Sequence, residues 1–379
     1  MDVMLSEKDR KFRDFCKDFA KDRLAAAAEK YGETDEVPRD MVKDMANAGL
    51  FKLYVPESLG GNKMSALKVC LAREEMAGIY CPADVTMAMQ GLGSYPILLA
   101  GSQAQQKKYL PEIGDGKLLT TYALTEPEAG SDVNGIQSRA EKTSEGYVLN
   151  GTKRFISNGH SADMMVVFVK TPLAENERAI SSFIVEKGTE GFKVTNRLKM
   201  MAPHDLVELE FDNCIVPEEN MLGNPGDGYK IATSTLDVFR MSVGAAAVGI
   251  GKRALDQSLD YARKRKQFGR SISDFQAIQL KLAQMATELD AARALVYRAA
   301  ILKDKGEKIS KQASMAKLFA TEAAFRIADA AVQIHGGIGV MHSSVVERLF
   351  REIRAMRIYE GTSEIQKLII SNTLLKESK

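Results

Sequence analysis

The sequence predicts an α+β protein arranged as helices, then strands, then helices, and three observations carry that prediction. Apolar residues recur at helical spacing from Ser6 to about Leu110, the period shifts towards two between about Thr120 and Pro217, and long helical periodicity returns after Gly228. A chain of 379 residues outgrows one core, so two or three sub-structures are expected, and the α, β, α order divides it into an N-terminal helical domain over 1–119, a middle β-barrel-like domain over 120–228 and a C-terminal helical bundle over 229–379.

Each element has a local reason. The stretch SEKDRKFRDFCKDFAKDRLAA puts Phe12, Phe15, Cys16 and Phe19 on one helical face behind Ser6. Pro38 enters a later helix, and VPESLGG at 55–61 interrupts the pattern before another helix begins at about Ser65. In the middle, GYVLNGTKRFISNG, DMMVVFVKT, SSFIVEKG and LVELEFDNCIVP read as strands parted by Gly, Asn, Pro and Asp turns, and imply roughly seven or eight strands. Helical segments follow at 229–263, 273–305, 310–335 and 343–357, and the small, Gly-rich run Met241–Gly251 reads as a closely packed helix.

Composition excludes several classes of function. With 45% hydrophobic and 27% charged residues and no apolar run of membrane-spanning length, no membrane span is expected. A net charge of +2 gives no broad nucleic-acid surface, and the densest basic patch, ARKRKQFGR at 262–270, needs another explanation. The four cysteines, Cys16, Cys70, Cys81 and Cys214, form no Cys-x-x-Cys pair, so neither a disulfide framework nor a zinc site is indicated and a reducing compartment is expected. The N-terminus lacks the apolar core and small-residue cleavage site of a secretory signal. The expected location is the cytoplasm, or the mitochondrial matrix if a transit peptide has been removed.

Five segments carry candidate chemistry. In YALTEPEAGSDV (122–133) a strand ends in a loop offering backbone N–H groups, the Ser131 hydroxyl and Gly130 without a Cβ; it suits a phosphate or a flat ring, or is an ordinary strand-to-turn segment. KRFISNG (153–159) could turn Phe155 or Ser157 to a planar ligand, or simply form a hairpin at Asn-Gly. RKQFGRSISDFQAIQ (265–279) sets Arg265 and Gln267 beside Phe268, with Ser273 and Asp274 able to cap the next helix; Arg265 could clamp a pyrophosphate, or the run is a solvated basic helix end. QIHGGIGV (333–340) ends a helix in paired glycines, and His160, His204, His335 and His342 show no metal spacing.

The fifth segment is RIYEGTSEIQ (357–366). Thr362 or Ser363 can cap the following helix, which leaves Tyr359-Glu360-Gly361 unexplained. A carboxylate held in a loop against a dry, apolar cavity has a raised pKa and can remove a weakly acidic proton from carbon; a Glu before a Gly is otherwise simply exposed.

Together, and in this order, YALTEPEAGSDV, GTKRFISNG, RKQFG, QIHGGIGV and IYEGTSEIQ resemble the blocks of the acyl-CoA dehydrogenases, over a span from about Leu5 to Leu375. The resemblance implies that family's fold, with a C-terminal four-helix bundle. It implies a non-covalent FAD and oxidation of an acyl-CoA thioester to its 2,3-enoyl-CoA, in a short- or medium-chain, branched or cyclic acyl branch, with electrons passed to electron-transfer flavoprotein. Tyr122, Leu124, Thr125, Gly130, Ser131, Phe155 and Ser157, with Thr362 and Glu364, match flavin and substrate contacts of one subunit; Phe155 stands where the family often has Trp. Arg265, Gln267, Phe268, Gln333 and Gly337 match residues that hold a neighbouring subunit's cofactor, which implies an obligate dimer paired into a homotetramer. Ser131, Arg240 and Gly361 match substrate contacts.

Glu360 falls on the family's catalytic base, and the resemblance implies that it takes the α-proton while a hydride passes from the β-carbon to flavin N5. Some branches place the base just before Arg240, where this chain has Phe239. The glutaryl-CoA branch uses an arginine ahead of YPILLAG, but Pro82 to Pro96 holds no basic residue, so an uncharged acyl group is favoured. Met87, Met89 and Gln90 either line the acyl pocket or pack their helix. KMMAPHDLVELEF (199–211) departs from the family's usual Gly-Ser/Thr-bearing loop and marks His204 as unusual. An enoyl-CoA reductase, an acyl-CoA oxidase and a non-catalytic flavin scaffold are the alternatives; the intact Glu360 argues against the last.

Overall fold

The computed structural model describes residues 4–173 and 179–377. Helix α1 (Glu7–Phe19) opens on a reciprocal cap, in which Asp9 N–H donates to Ser6 Oγ and the Asp9 carboxylate accepts from Ser6 N–H. A π turn leads into α2 (Ala25–Tyr31), and Pro38 precedes α3 (Arg39–Asn47), where its missing N–H costs nothing. Ser65 caps α4 (Ala66–Ala77), and α5 (Cys81–Ala100) and α6 (Gln103–Gly114) follow.

Eight strands form the middle sheet: β1 (Thr120–Ala123), β2 (Arg139–Thr143), β3 (Gly146–Ser157), β4 (Met164–Lys170), β5 (Ile180–Glu186), β6 (Phe192–Arg197), β7 (Leu206–Val216) and β8 (Met221–Leu222). They lie in the order β6-β7-β3-β2-β4-β5-β8, with β1 parallel to β4. Met165, Val167 and Val169 of β4 join one apolar cluster with Leu149, Phe183, Leu209 and Phe211, whereas Met164, Val166 and Phe168 join another with Ile97, Leu110 and Ile184. Burial on both faces explains why MMVVFV is continuously apolar instead of alternating. Asn158-Gly159 is not a hairpin turn: β3 pairs with β2 and β7, and the chain leaves it for β4, whose antiparallel neighbour is β5.

The C-terminal helices are α7 (Gly228–Lys264), α8 (Gln276–Asp304), α9 (Ser310–His335), α10 (Val345–Met356) and α11 (Ser363–Glu377), with a small hairpin, β9 (Lys266–Gln267) and β10 (Arg270–Ser271), ahead of α8. Ser273 and Asp274 do not cap α8. They lie in a short 3-10 turn, and Phe275 takes the cap position without a side-chain bond, because the hairpin sets where the chain can enter the helix.

The chain divides into two compact units. One comprises residues 1–30, 65–84 and 237–379, the other 31–64 and 85–236, so the divisions fall within α2, α5 and α7 and just ahead of α4. In the first, Ala245, Ala246 and Ala247 of α7 pack with Ala313, Ala316, Ala320, Ala324 and Ala328 of α9. Small residues let these backbones approach closely, as Met241–Gly251 predicted. At Gly249 a Cβ would lie 2.1 Å from the Glu74 carbonyl oxygen of α4.

That approach generates a prediction in which two effects oppose each other. Helix propensity alone makes Gly249→Ala stabilising by about 1 kcal/mol, whereas overpacking costs about 1–3 kcal/mol. The expected outcome is net destabilisation in a denaturant midpoint measurement; a midpoint moved upward refutes the backbone contact.

Candidate active site

The segment between α10 and α11 answers why Tyr, Glu, Gly and Thr stand in a row. Glu360 has φ 54° and Gly361 φ 94°, two consecutive left-handed residues that reverse the chain. Gly361 adopts this freely, but a non-glycine there costs of order 1–3 kcal/mol, and such strain persists only where the surroundings over-determine it. Here they do. The Glu360 carbonyl accepts from Arg240 Nε at 3.3 Å and Gln366 Nε2 at 3.2 Å, and the Gly361 carbonyl accepts from Lys317 Nζ and Gln366 Nε2, both at 2.8 Å. Donors from α7, α9 and α11 thus grip the backbone of the turn and leave the carboxylate unheld. Thr362 caps α11, its Oγ1 accepting from Ile365 N–H at 3.4 Å, while Ser363 Oγ turns to Glu322 at 2.5 Å. Glu364 is exposed.

Glu360 is half-buried, and its Oε2 lies away from solvent with no hydrogen-bond partner among the described residues. Burial pushes its carboxyl up to about 7, against the pull of Arg73, Lys317 and Arg240, with Asp84 adding to the rise. Those cations are themselves committed. Arg73 bonds Asp84 at 2.8 and 2.9 Å, Arg240 bonds Asp237 at 2.6 Å, and burial brings fully buried Lys317 down to about 8.

In the other unit, the strand ends of β1 and β3 carry the second group of candidates. A bulge in β3 between Lys153 and Ile156 breaks its register with β7, so that Lys153 and Ile156 both face inward and Phe155 turns out. Phe155 is left-handed, at φ 59°, and 55% exposed, with the Arg154 guanidinium 5.1 Å above its ring. Lys153, wholly buried, donates to Glu126 Oε1 at 2.6 Å and to the Leu124 carbonyl at 3.1 Å; Glu126 also accepts from the backbone N–H groups of Gln137 and Ser138. Arg154 N–H bonds the Thr125 carbonyl at 2.8 Å. The backbone of Leu124 and Thr125 is therefore pinned, Tyr122 packs on Phe168 with ring centroids 4.7 Å apart, and Gly130 and Ser131 stand exposed, with open space where a Gly130 Cβ would be. Ser157 is 2.8 Å from His204 Nε2.

A third group lines a cavity of about 560 Å³ in the first unit, formed by Tyr261, Arg265, Gln267, Ile272, Ile334, His335, Gly336, Gly337, Ile338 and Met341. Phe268 and Gly269, at φ 51° and 80°, form the two-residue turn of the β9–β10 hairpin and leave Phe268 92% exposed. Gln333 is exposed one turn of helix before that cavity's glycines. The Gln90 amide donates to the carbonyls of Ile113 and Leu118 and accepts from Thr120 N–H at 2.7 Å, and Met87 is buried, contacts that fit the packing reading of this helix. Among the described residues no cluster of three or more His, Cys, Asp and Glu is placed to hold a metal ion, and no helix is long and apolar enough to cross a membrane.

Sequence reasoning missed Arg73, Lys317, Gln366, Glu126 and Lys153. Two signals were available: Lys153 sits at an inward position of a strand, and Lys317 interrupts the small-residue face Ala313, Ala316, Ala320, Ala324 of α9.

The fold and site define an α+β protein whose helical bundle presents a desolvated carboxylate in a strained turn. Family models match the acyl-CoA dehydrogenase N-terminal domain at residues 6–117, middle domain at 121–214 and C-terminal domain at 226–375. The chain is 44% identical over 366 residues to an acyl-CoA dehydrogenase of Bacillus subtilis, covering 96% of this chain and 97% of the relative. It is 40% identical to the caffeyl-CoA reductase-Etf complex subunit CarC of Acetobacterium woodii, over 99% of this chain and all of the relative. It superposes on butyryl-CoA dehydrogenase from Megasphaera elsdenii with a TM-score of 0.93 at 36% identity, covering 98% of this chain and 99% of that one. The chain belongs to the acyl-CoA dehydrogenase family, flavoprotein oxidoreductases acting on the CH–CH group of acyl-CoA.

A carboxyl whose pKa is raised on folding binds its proton more tightly folded than unfolded, so it weakens the fold as pH rises from its ordinary range through about 7. Glu360→Gln removes that cost. The variant's melting temperature is expected to exceed the parent's by a margin that grows between pH 5 and pH 8; a constant margin contradicts the burial of the carboxylate.

Proposed function

We propose that the protein is an FAD-dependent acyl-CoA dehydrogenase in which Glu360 removes the α-proton of an uncharged acyl-CoA thioester. The observation that carries this reading is the Glu360 Oε2 atom, buried without a partner on a turn gripped by its backbone. FAD, when bound, supplies the two-electron acceptor for the hydrogen that leaves the β-carbon.

The residues present fit such a cofactor. Phe155, turned outward by the bulge, offers a flat face, and Gly130 and Ser131 offer open backbone and a hydroxyl beside the pinned Leu124 and Thr125. Tyr122, Ser157, Thr362 and Glu364 complete the proposed contacts. Arg265 and Gln267 at the cavity of the first unit, with Phe268, Gln333 and Gly337, would take the charged and adenosine parts of a neighbouring copy's cofactor. That arrangement needs a dimer, which we place within a homotetramer.

The chemistry of Glu360 follows from its surroundings. A free carboxylate is too weak a base for a thioester α-proton, and desolvation raises it to about 7 while it stays largely ionised just above neutrality. The N–H of Glu360 itself is the proposed donor to the thioester carbonyl, so one residue would both acidify and accept. Arg240 and Gly361, with Ser131, are the proposed substrate contacts; Arg240 acts here by holding the Glu360 carbonyl. Electron-transfer flavoprotein is the proposed electron partner, supported by the relative that is itself a subunit of a reductase-Etf complex.

A reductase running the reaction backwards is the second reading. Relatives at 40% and 39% identity are a caffeyl-CoA reductase subunit and an acryloyl-CoA reductase. A carboxyl near 7 is populated in both protonation states near neutrality, so the same residue could return the proton.

Glu360→Gln is expected to retain FAD and to slow flavin bleaching by acyl-CoA by about 10²–10⁴-fold, the usual contribution of a general base. Rapid bleaching in that variant rejects the assignment. Because the ionised form is needed, the parent's reduction rate should rise with pH and level off above about 7. In an anaerobic panel of acyl-CoA thioesters, bleaching by uncharged acyl groups supports dehydrogenation; reoxidation of the reduced protein by an enoyl-CoA, without the forward reaction, supports the reductase.

A further inference from the structure

The loop KMMAPHD (199–205) has no part in the reading above, yet it is built onto the strand that carries Phe155 and Ser157. His204 Nε2 lies 2.8 Å from Ser157 Oγ. The loop is fastened on both sides of that bond: Leu198 N–H donates to the Leu206 carbonyl at 2.7 Å, His204 N–H to Asp35 Oδ1 at 3.0 Å, Asn158 N–H to the Asp205 carbonyl at 2.7 Å and Ser161 N–H to Asp205 Oδ2 at 3.1 Å. Asn158 takes a left-handed conformation, φ 55°, to meet it. The backbone that carries His204 is thus fixed beside Ser157.

We propose that His204 is a positioning residue for the flavin: by occupying one hydrogen-bonding direction of the Ser157 hydroxyl it decides whether that hydroxyl offers the ring a donor or an acceptor, and so sets the flavin's potential. The inference rests on the assignment of Ser157 to the cofactor. A serine hydroxyl has one proton and two lone pairs and rotates to suit its neighbours. If Nε2 accepts the hydroxyl proton, only lone pairs are left for the ring; if Nε2–H donates, it takes one lone pair and leaves the hydroxyl proton free to turn to the ring. A fixed donor favours whichever redox state of the ring presents an acceptor, and a fixed acceptor favours the other.

The groups facing the imidazole are Asp35 and Asp205, which favour its charged form; burial outweighs them and lowers it to about 4. His204 therefore works as a neutral hydrogen-bond partner, and its influence should not titrate between pH 6 and pH 8. The consequence bears on the direction of the reaction, since the potential of the flavin decides whether an acyl-CoA reduces it or an enoyl-CoA reoxidises it.

The test uses the full-length, FAD-loaded protein and reads the two-electron midpoint potential by equilibration with reference dyes, alongside the visible spectrum and flavin content. His204→Phe keeps the volume and removes the bond; Ser157→Ala removes it from the other side and leaves the loop intact. Each is expected to move the equilibrium at least tenfold, about 30 mV for a two-electron couple. The shift should be the same at pH 6 and pH 8, and the double variant should move no further than Ser157→Ala alone. His204→Gln, whose amide can reach the hydroxyl, should recover part of the shift. Unchanged potentials with FAD retained overturn the role of His204, and additive shifts overturn the path through Ser157. A parent protein that holds no flavin and takes up none overturns the cofactor reading itself.

Discussion

Taking the Glu360 carboxylate out of water is the constraint around which its unit is organised. Desolvation raises the carboxyl, and three buried or half-buried cations lower it; the result of about 7 shows that desolvation wins. It wins because the cations are shared. Arg73 forms a paired bond with Asp84, Arg240 is held by Asp237, and at the turn Lys317 and Arg240 donate to carbonyl oxygens, not to the carboxylate. A direct ion pair would have dragged the carboxyl below its ordinary range and left it a poor base.

Gripping a residue by its backbone separates position from charge. Arg240, Lys317 and Gln366 hold the carbonyls of Glu360 and Gly361, and this is what makes a left-handed glutamate tolerable. The strain is local and the restraint comes from three helices, so the geometry survives at the cost of a small part of the unit's stability. A side-chain bond would have positioned the carboxylate too, but it would have stabilised the charged form and offset the rise that burial produces.

The sheet-bearing unit solves a similar problem with a buried pair. Lys153 and Glu126 lie inside, and between them they bond the Leu124 carbonyl and two backbone N–H groups. Such a pair adds little net stability compared with an apolar core, but removing one partner strands a buried charge, so the loop after β1 has one low-energy arrangement. The bulge that brings Lys153 inward also turns Phe155 outward. One irregularity in β3 thus both anchors a loop and presents an aromatic face.

Much of this was legible because it is local. Periodicity placed the long helices after Gly228 and the strand-rich middle though not the bounds of α5, Ser6 and Ser65 announced their caps, and Tyr359-Glu360-Gly361 stood out because capping chemistry left it unexplained. The Ser273 and Asp274 cap failed because a hairpin, not a side chain, governs how α8 begins. By itself the sequence determined the order of elements, their approximate ends and which carboxylate was out of place, since propensity and spacing act between residues a few positions apart. Only the tertiary structure decided that Glu360 is desolvated, that Arg73, Arg240 and Lys317 surround it, that Lys153 pairs with Glu126 and that His204 meets Ser157. Burial and partnership are properties of residues brought together from distant parts of the chain, and no local pattern encodes them.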